Sequence, residues 1–303
     1  MSIASLRKIL RSARKGLCST CSKTEYPQLE AAGAGHVGCL MYTVETQGLT
    51  VKDANNVSAV HVAARKGQLE VLIFLVENGL VNDTFRAKNG ATPGHDAAGT
   101  GNIECMRYLL VHTGCSAHDK DYSGQTLLHW AAMFGQLRAV IWLVKESNAT
   151  INAENTQGLT AVHLAAQKNR VDVVHWLVKY TYKTHPNPRD VVNQRSKQGA
   201  TPLFLAATEG NIQVIRWLAE KAGGDPTIFS FTGVAPLHAA VAMGHQEAVQ
   251  YLFQFGVGTA PGGLRTRDGS TTLHMAARCG ELMHFAVTVH MCLRVTVCFH
   301  CYM

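Results

Sequence analysis

The chain has 303 residues, of which 16% are charged and 47% are apolar. Its formal net charge is +7, and residues 1–30, with six basic against two acidic side chains, supply more than half of it. The rest of the chain is almost neutral, so charge gives no argument for nucleic-acid binding. Nine cysteines are too few for a disulfide-built scaffold, and no run of about 18 uncharged apolar residues predicts a membrane-spanning helix.

Residues 1–26 form a basic segment before the first recognisable repeat. Ile3, Leu6 and Ile9 lie on one side of a predicted amphipathic helix, with Arg and Lys at intervening positions. These charges interrupt every apolar run, so we expect no secretion signal and predict a reducing, cytoplasmic location. We expect the segment to cap the end of the fold; a membrane-surface helix or a transit peptide has the same pattern.

Four residues near the end of this segment have the spacing of a zinc site. Cys18 and Cys21 are followed by His36 and Cys39 in a C-x2-C-x14-H-x2-C pattern. However, His36 and Cys39 also occupy ordinary positions of the first repeat. We therefore favour a repeat without metal, and we expect neither a metal nor a cofactor in the chain.

One motif recurs about every 34 residues from residue 58 onward. A small residue is followed three positions later by His or Phe and then by x-Ala-Ala or a close variant; an apolar segment comes next. The small residue is usually a Ser or Thr that can cap a first helix, and Gly or Asn169 ends that helix. The seven copies begin at Ser58, Thr92, Thr126, Thr160, Thr201, Ala235 and Thr271.

These motifs resemble ankyrin repeats, in which a turn precedes two helices. A degenerate first copy has its Ala-Ala pair at Ala31 and Ala32 and its second helix over residues 37–44. We predict an all-α solenoid of about eight ankyrin repeats over residues 27–285. The recurring histidines stand one repeat apart, roughly 10 Å, which is too far to share one metal. We expect them to bond to the backbone between repeats.

The second helices carry apolar stripes with an aromatic residue at an equivalent place. Tyr108, Trp142 and Trp217 are examples, and we predict that they lie in the core between repeats. The spacing lengthens once, between His163 and Phe204, and the extra residues fall in 180–189. This polar, proline-containing stretch predicts a loop; a contact with a partner is the alternative.

Residues 286–303 depart from the repeat pattern. Apolar and polar side chains alternate there with a period of two, which is typical of a strand. A lone strand has nothing to pair with, so we expect a disordered or aggregation-prone tail from a truncated or alternative terminus.

The motifs of common catalytic sites are not recognisable. We find no Gly-rich phosphate loop, nucleophile elbow or kinase signature. A stacked-repeat protein offers an extended surface instead of an enclosed pocket. We therefore predict a monomeric protein that binds other proteins and is not an enzyme.

Several repeats resemble those of the espins. Residues 86–101 read Arg-Ala-Lys-Asn-Gly-Ala-Thr-Pro-Gly-His-Asp-Ala-Ala-Gly-Thr-Gly, with Gly94 and Asp96 at places unusual for ankyrin repeats. Espins have an Arg-Asn-Gly-Ala-Thr-Pro-Ala-His-Asp-Ala form there. Residues 119–135 and 199–207 are also similar to espin repeats, in the same order. The resemblance covers about residues 31–285 and indicates the espin, espin-like and forked-related family.

The resemblance implies a role in the actin cytoskeleton. Espins bundle parallel actin filaments in stereocilia, microvilli and bristles, and their ankyrin repeats bind class III myosin tails. Their bundling elements follow the repeats and are not recognisable here, so we expect this chain to bind a partner at actin bundles without bundling filaments itself. The alternative is a targeting or regulatory subunit of an enzyme, such as a ligase or phosphatase adaptor, with no actin role.

A partner is expected on the concave face of the repeats. In ankyrin stacks this face consists of hairpin residues and of the two residues after Ala-Ala. Several of these positions are apolar or aromatic here, and aromatic residues are preferred interface anchors; packing against the neighbouring repeat is the alternative. The predicted partner-binding residues are Lys88, Asn89, Tyr122, Ser123, Met133, Phe134, Gln167, Lys168, Lys197, Phe231, Met243 and Arg267.

Overall fold

The computed structural model describes residues 16–48, 52–78, 86–184, 191–257 and 265–278. The chain divides into two compact units, unit 1 (Met1–Thr150) and unit 2 (Ile151–Met303). In each unit the helices follow one another in pairs, and a pair packs against the next pair along the chain. The predicted N-terminal amphipathic helix lies almost entirely outside the described residues. The predicted strand at residues 286–303 lies entirely outside them.

Unit 1 contains four helix pairs among its described residues. A short 3₁₀ helix, Cys21–Lys23, precedes them. The first pair confirms that the degenerate motif near Ala31 is a repeat. The α-helices are α1 (Pro27–Ala34), α2 (Val37–Gln47), α3 (Ala59–Lys66), α4 (Leu69–Glu77), α5 (Pro93–Thr100), α6 (Ile103–His112), α7 (Leu127–Phe134) and α8 (Leu137–Glu146).

Unit 2 continues the same pattern with three helix pairs and the first helix of a further repeat. Its α-helices are α9 (Ala161–Gln167), α10 (Val171–Thr184), α11 (Pro202–Thr208), α12 (Ile212–Lys221), α13 (Pro236–Ala242), α14 (Gln246–Leu252) and α15 (Thr272–Arg278). A π-helical turn, Phe253–Val257, follows α14. In the described ranges, β-bridges such as that between Lys52 and Ser58 are isolated and form no sheet. No helix in these ranges is long and apolar enough to cross a bilayer. The predicted all-α repeat architecture is confirmed.

The prediction of a loop over residues 180–189 is wrong for its first half. Helix α10 extends through Thr184, which makes it the longest helix described, with 14 residues. Tyr180 stacks on Trp176 one turn earlier at 5.1 Å, and Thr181 is fully buried with its hydroxyl donating to Leu177 O at 2.7 Å. Packing along the helix therefore outweighs the polar composition of this stretch.

Aliphatic side chains of the second helices form the core. Leu75, Leu109, Leu143, Leu177 and Leu218 are completely buried at equivalent positions. Burying such a side chain stabilises the fold by about 2 kcal/mol. These residues lie on the faces that the sequence stripes predict.

The aromatic residues of the second helices lie mostly at the edge of that core. Trp142 is buried, whereas Tyr108 and Trp217 are only half-buried. Trp217 instead packs edge-on against His175, with the ring centroids 4.9 Å apart. The prediction that the aromatic position belongs to the core between repeats is thus wrong for most copies, because the leucines fill the space between helices.

Buried histidines tie successive repeats together. His61 Nδ1 accepts a hydrogen bond from the Ser58 N–H at 3.3 Å, so this nitrogen is unprotonated. The proton is on Nε2, which donates to Ala91 O of the next repeat at 3.2 Å. His95 repeats the arrangement, with its Nε2 3.0 Å from Gln125 O. The predicted role of these histidines is confirmed, and it requires the neutral ring.

Hairpins between the repeats form a second set of links. Within unit 1 the Tyr122 N–H donates to Asn89 O at 3.0 Å, and the Lys88 N–H donates to Asn55 O at 2.8 Å. The tip of each hairpin contains a residue with positive φ, usually Gly, and Asn56 takes this place in the first hairpin with a φ of 61°. These bonds fix the spacing of the hairpin tips along each unit.

Candidate partner-binding groove

A groove of about 470 Å³ lies on unit 1, between the hairpin tips and the first helices of successive repeats. We call it the unit 1 groove. It is large enough for several side chains of a peptide. Its lining residues are Asp53, Asn55, Val57, Arg65, Ala87, Lys88, Asn89, Ala91, Asp96 and Trp130.

An ion pair lies in the unit 1 groove. Arg65, near the end of α3, donates from Nε at 3.0 Å and from Nη2 at 2.9 Å to the same oxygen of Asp96, on α5. The Asp96 side chain is only 5% exposed, and its other oxygen, Oδ2, has no hydrogen-bond partner. Burial raises the pKa of Asp96 to about 6, and the Arg65 guanidinium partly offsets this. Oδ2 is sealed from solvent, so the exposed guanidinium of Arg65 is the polar group of this pair that a ligand can contact.

Aromatic rings continue from the groove toward the outside of unit 1. Trp130, on α7, donates from its indole nitrogen to Asp121 Oδ2 at 3.0 Å, which fixes the ring plane. The ring meets His95 edge-on at 5.5 Å and Phe134 at 5.9 Å. Trp130 and Phe134 thus form an apolar surface with Phe134 as its more exposed member, and His95 lies buried behind them.

Tyr122 and Phe134 each lie over a glycine of the preceding repeat. A side chain at Gly90 would place its Cβ 2.5 Å from the Tyr122 ring, and one at Gly99 would lie 3.1 Å from the Phe134 ring. These glycines therefore allow the rings to lie flat on the backbone. The Tyr122 side chain is still 70% exposed and that of Phe134 46% exposed. Both rings thus pack on the preceding repeat and still expose area that a partner can cover.

Unit 2 presents a different surface. Phe231 is 55% exposed, and the Arg195 guanidinium lies over its ring at 4.5 Å. Met243 is also exposed. A second groove of about 390 Å³ lies beside the last described helix, and Arg267 is part of its lining. The lining residues are Thr232, Val234, Thr266, Arg267, Asp268, Ser270, Met275 and Arg278.

The structure describes all twelve residues that the sequence predicts for partner binding. Met133 and Gln167 are half-buried, and Gln167 donates to Glu209 at 3.2 Å. The other ten are exposed: Lys88, Asn89, Tyr122, Ser123, Phe134, Lys168, Lys197, Phe231, Met243 and Arg267. Only Lys88, Asn89 and Arg267 line one of the two grooves described above.

The sequence-based set misses the centre of the unit 1 groove. Arg65 is one of the two residues that follow Ala-Ala, so the same rule applied to the first full motif would include it. Asp96 stands out in the sequence as unusual for an ankyrin repeat, but its pairing with Arg65 cannot be read from one repeat alone. Trp130 precedes its Ala-Ala pair and so falls outside the rule.

Models of ankyrin repeats match most of the chain. One, for three copies, matches residues 79–155, 109–190, 148–230 and 184–259, and another, for many copies, matches residues 237–288. The chain belongs to the ankyrin-repeat family. No curated protein sequence matches it. Ankyrin repeats indicate a scaffold for protein–protein interaction, and proteins built from them are typically adaptors without catalytic activity. The matched models do not distinguish espins from other ankyrin-repeat proteins.

Proposed function

We propose that this chain is an espin-like scaffold that binds a class III myosin tail, or a peptide of similar chemistry, at the unit 1 groove. The espin resemblance of residues 86–101 supports the partner class, and those residues supply Lys88, Asn89 and Asp96 to the groove. On this proposal the protein acts in the cytoplasm at actin filament bundles such as those of stereocilia, microvilli or bristles.

The observation that carries the proposal is the combination of exposed rings with an exposed guanidinium that a buried carboxylate holds in place. Tyr122 and Phe134 are held on glycines and remain exposed, so their burial by a partner needs little reordering. The Arg65 guanidinium is 45% exposed and is held by the buried Asp96, so it offers donors to a carboxylate or a backbone carbonyl of a peptide. The groove thus favours a peptide that places an acceptor beside apolar side chains.

The aromatic residues provide the first test. Tyr122→Ala and Phe134→Ala should each weaken binding of a class III myosin tail peptide by about 2 kcal/mol or more, since exposed aromatic anchors are common hot spots. This corresponds to an affinity loss of about thirtyfold in titration calorimetry. Lys183→Ala, an exposed change near the end of α10, is the matched control and should leave the affinity unchanged.

Two further variants test whether the site lies in unit 1 or in unit 2. Asp96→Asn should weaken the same peptide because the carboxylate that holds Arg65 in place is lost, whereas Phe231→Ala in unit 2 should not. Unaltered affinity in both aromatic variants, together with a loss in Lys183→Ala, would move the site to α10. Failure of the myosin peptide to bind, with capture of a ligase or phosphatase subunit instead, would favour the adaptor alternative.

Actin bundling is tested separately. We expect residues 1–303 alone not to bundle actin, because the bundling elements of espins are not recognisable in them. Low-speed co-sedimentation with purified filaments should leave the filaments in the supernatant. Robust pelleting of filaments would contradict this part of the proposal, while leaving peptide binding to be judged by calorimetry.

A further inference from the structure

Four potential metal ligands converge at the start of unit 1. Cys18 and Cys21 precede α1, whereas His36 and Cys39 stand at the start of α2. The three sulfur atoms and one ring nitrogen all lie within 4.8 Å of one another. Their spacing in the sequence is that of a zinc site, and the prediction of a first repeat without metal rests only on the ordinary repeat positions of His36 and Cys39.

The separations are those of a tetrahedral zinc site. His36 Nδ1 lies 3.5 Å from Cys18 Sγ and 3.5 Å from Cys21 Sγ. Zinc binds sulfur at about 2.3 Å and imidazole nitrogen at about 2.0–2.1 Å, and tetrahedral angles then separate a sulfur from a nitrogen by about 3.5 Å. Both measured distances therefore equal the edge of such a tetrahedron. Three thiolates and one imidazole form one of the usual structural donor sets for zinc.

The local backbone explains why the ligands meet. Each pair is separated by two residues, so a single turn places both members on one side. The first turn closes through the Ser22 N–H, which donates to Cys18 O at 3.0 Å, and His36 and Cys39 lie on the first turn of α2. The Cys18 N–H also points at Cys39 Sγ, at 3.4 Å. Such a donor to sulfur stabilises a metal-bound thiolate from outside the ligand set.

We propose that Cys18, Cys21, His36 and Cys39 bind one Zn²⁺ ion that fastens residues 18–21 to the first repeat. Among the described repeats, the first lacks the cap and histidine that tie later repeats together. The residue before α1 is Tyr26, which makes no capping hydrogen bond from its side chain. The metal would join residues 18–21 to α2, and so stabilise this repeat in a different way from the histidines, which join a repeat to the next one. The site is independent of the unit 1 groove.

The test uses the full chain, reduced and reconstituted with Zn²⁺. Native mass spectrometry should show one tightly bound zinc per chain, and replacement by Co²⁺ should give the intense visible absorption of a tetrahedral thiolate site. Cys21→Ser should abolish both signals. Because Cys21 is completely buried and this variant could unfold the repeat, His36→Ala at an exposed residue provides a second test with the same expected loss.

Two controls exclude other cysteines. Cys115→Ser, outside the cluster, should keep the zinc. Cys292, Cys298 and Cys301 lie outside the described residues, and their simultaneous replacement by Ser should also leave one zinc bound. Chelator should lower the melting temperature of the wild-type protein and leave that of His36→Ala unchanged.

Three results would overturn the proposal. One is a wild-type chain that takes up no zinc above the level of the Cys21→Ser variant. Another is equal zinc binding in wild type and His36→Ala combined with loss of zinc in the variant lacking the three later cysteines. The third is a disulfide between two of Cys18, Cys21 and Cys39 that peptide mapping locates after the reduction step and that prevents zinc uptake.

Discussion

Unit 1 and unit 2 differ at one position where a repeat is joined to the next. In unit 1, His95 Nδ1 accepts from the Thr92 N–H at 3.1 Å, and its other nitrogen reaches Gln125 O in the next hairpin. In unit 2, Phe204 occupies the equivalent place. Thr201 still caps its helix there, because its hydroxyl accepts from the Phe204 N–H at 3.1 Å. The benzyl ring, however, has no polar atom to offer the next repeat.

The difference shows that capping a helix and joining two repeats are separable tasks. A Thr side chain caps its own helix whether His or Phe follows, as Thr92 and Thr201 do. Only His adds the bond to the next repeat. Unit 2 retains this bond elsewhere, since His163 Nε2 lies 3.2 Å from Ala200 O, the carbonyl equivalent to Gln125 O. The repeat that contains Phe204 is thus joined to the next one without a histidine bond. The effect of this on the free energy of unfolding is measurable.

The largest expected effect concerns the pH dependence of unit 1. Burial lowers the pKa of His61 from 6.5 to about 4, so its neutral form stabilises the fold above pH 6.5 and this contribution is lost as the pH falls toward 4. Burial raises the pKa of Asp96 from 3.8 to about 6, so its contribution has the opposite sign and is lost as the pH rises through 6. Each contribution is about 3 kcal/mol.

These opposing contributions are separated by Asp96→Asn, which has no titrating carboxyl. Between pH 4 and pH 6.5 its free energy of unfolding should rise by about 3 kcal/mol more than that of the wild type, because the Asp96 contribution no longer opposes those of His61 and His95. Urea unfolding at a series of pH values measures both profiles. Parallel profiles would show that Asp96 titrates as an exposed carboxylate and that the unit 1 groove is more open than described.

A smaller effect on stability is expected when His95 of unit 1 is replaced by Phe, the residue at the equivalent position 204 of unit 2. His95→Phe should lower the free energy of unfolding by about 2 kcal/mol, because Gln125 O and the Thr92 N–H lose a buried partner while the helix cap persists. Urea unfolding monitored by circular dichroism provides the value. If the loss stays below about 0.5 kcal/mol, the bond from His95 does not join the repeats and the contrast between the units disappears.

The reverse exchange should produce the smallest effect. Phe204→His restores a donor that can reach Val234 O, the backbone group equivalent to Gln125 O, and should stabilise the protein by about 1 kcal/mol. Phe204→Leu is the control, since it changes the ring without adding a donor. Equal stability of the His and Leu variants would indicate that geometry at this joint does not permit the bond.

Periodicity in the sequence predicts the helices, the capping residues and the inward histidines. It succeeds because these features depend on spacing within one repeat, and Asn169 in the left-handed conformation is an example, with a φ of 56°. Even the exception at Phe204 is visible in the sequence, as is the leucine core of the second helices.

Features that depend on two or more repeats are harder to predict. The Arg65–Asp96 pair spans 31 residues, and the cysteine–histidine cluster joins two turns on either side of α1. The helical extension to Thr184 depends on packing that composition does not show. For these, the sequence provides candidates, and only the three-dimensional arrangement shows which ones meet.

The histidine bonds between repeats do not depend on the side chains of the hairpins. Both His61 and His95 donate to main-chain carbonyls, those of Ala91 and Gln125, and every amino acid carries that group. Hairpin side chains can therefore be exchanged without weakening the bond that holds neighbouring repeats in register. Selection on ligand preference and selection on folding act on different atoms, so new specificities can arise in this architecture without a loss of stability.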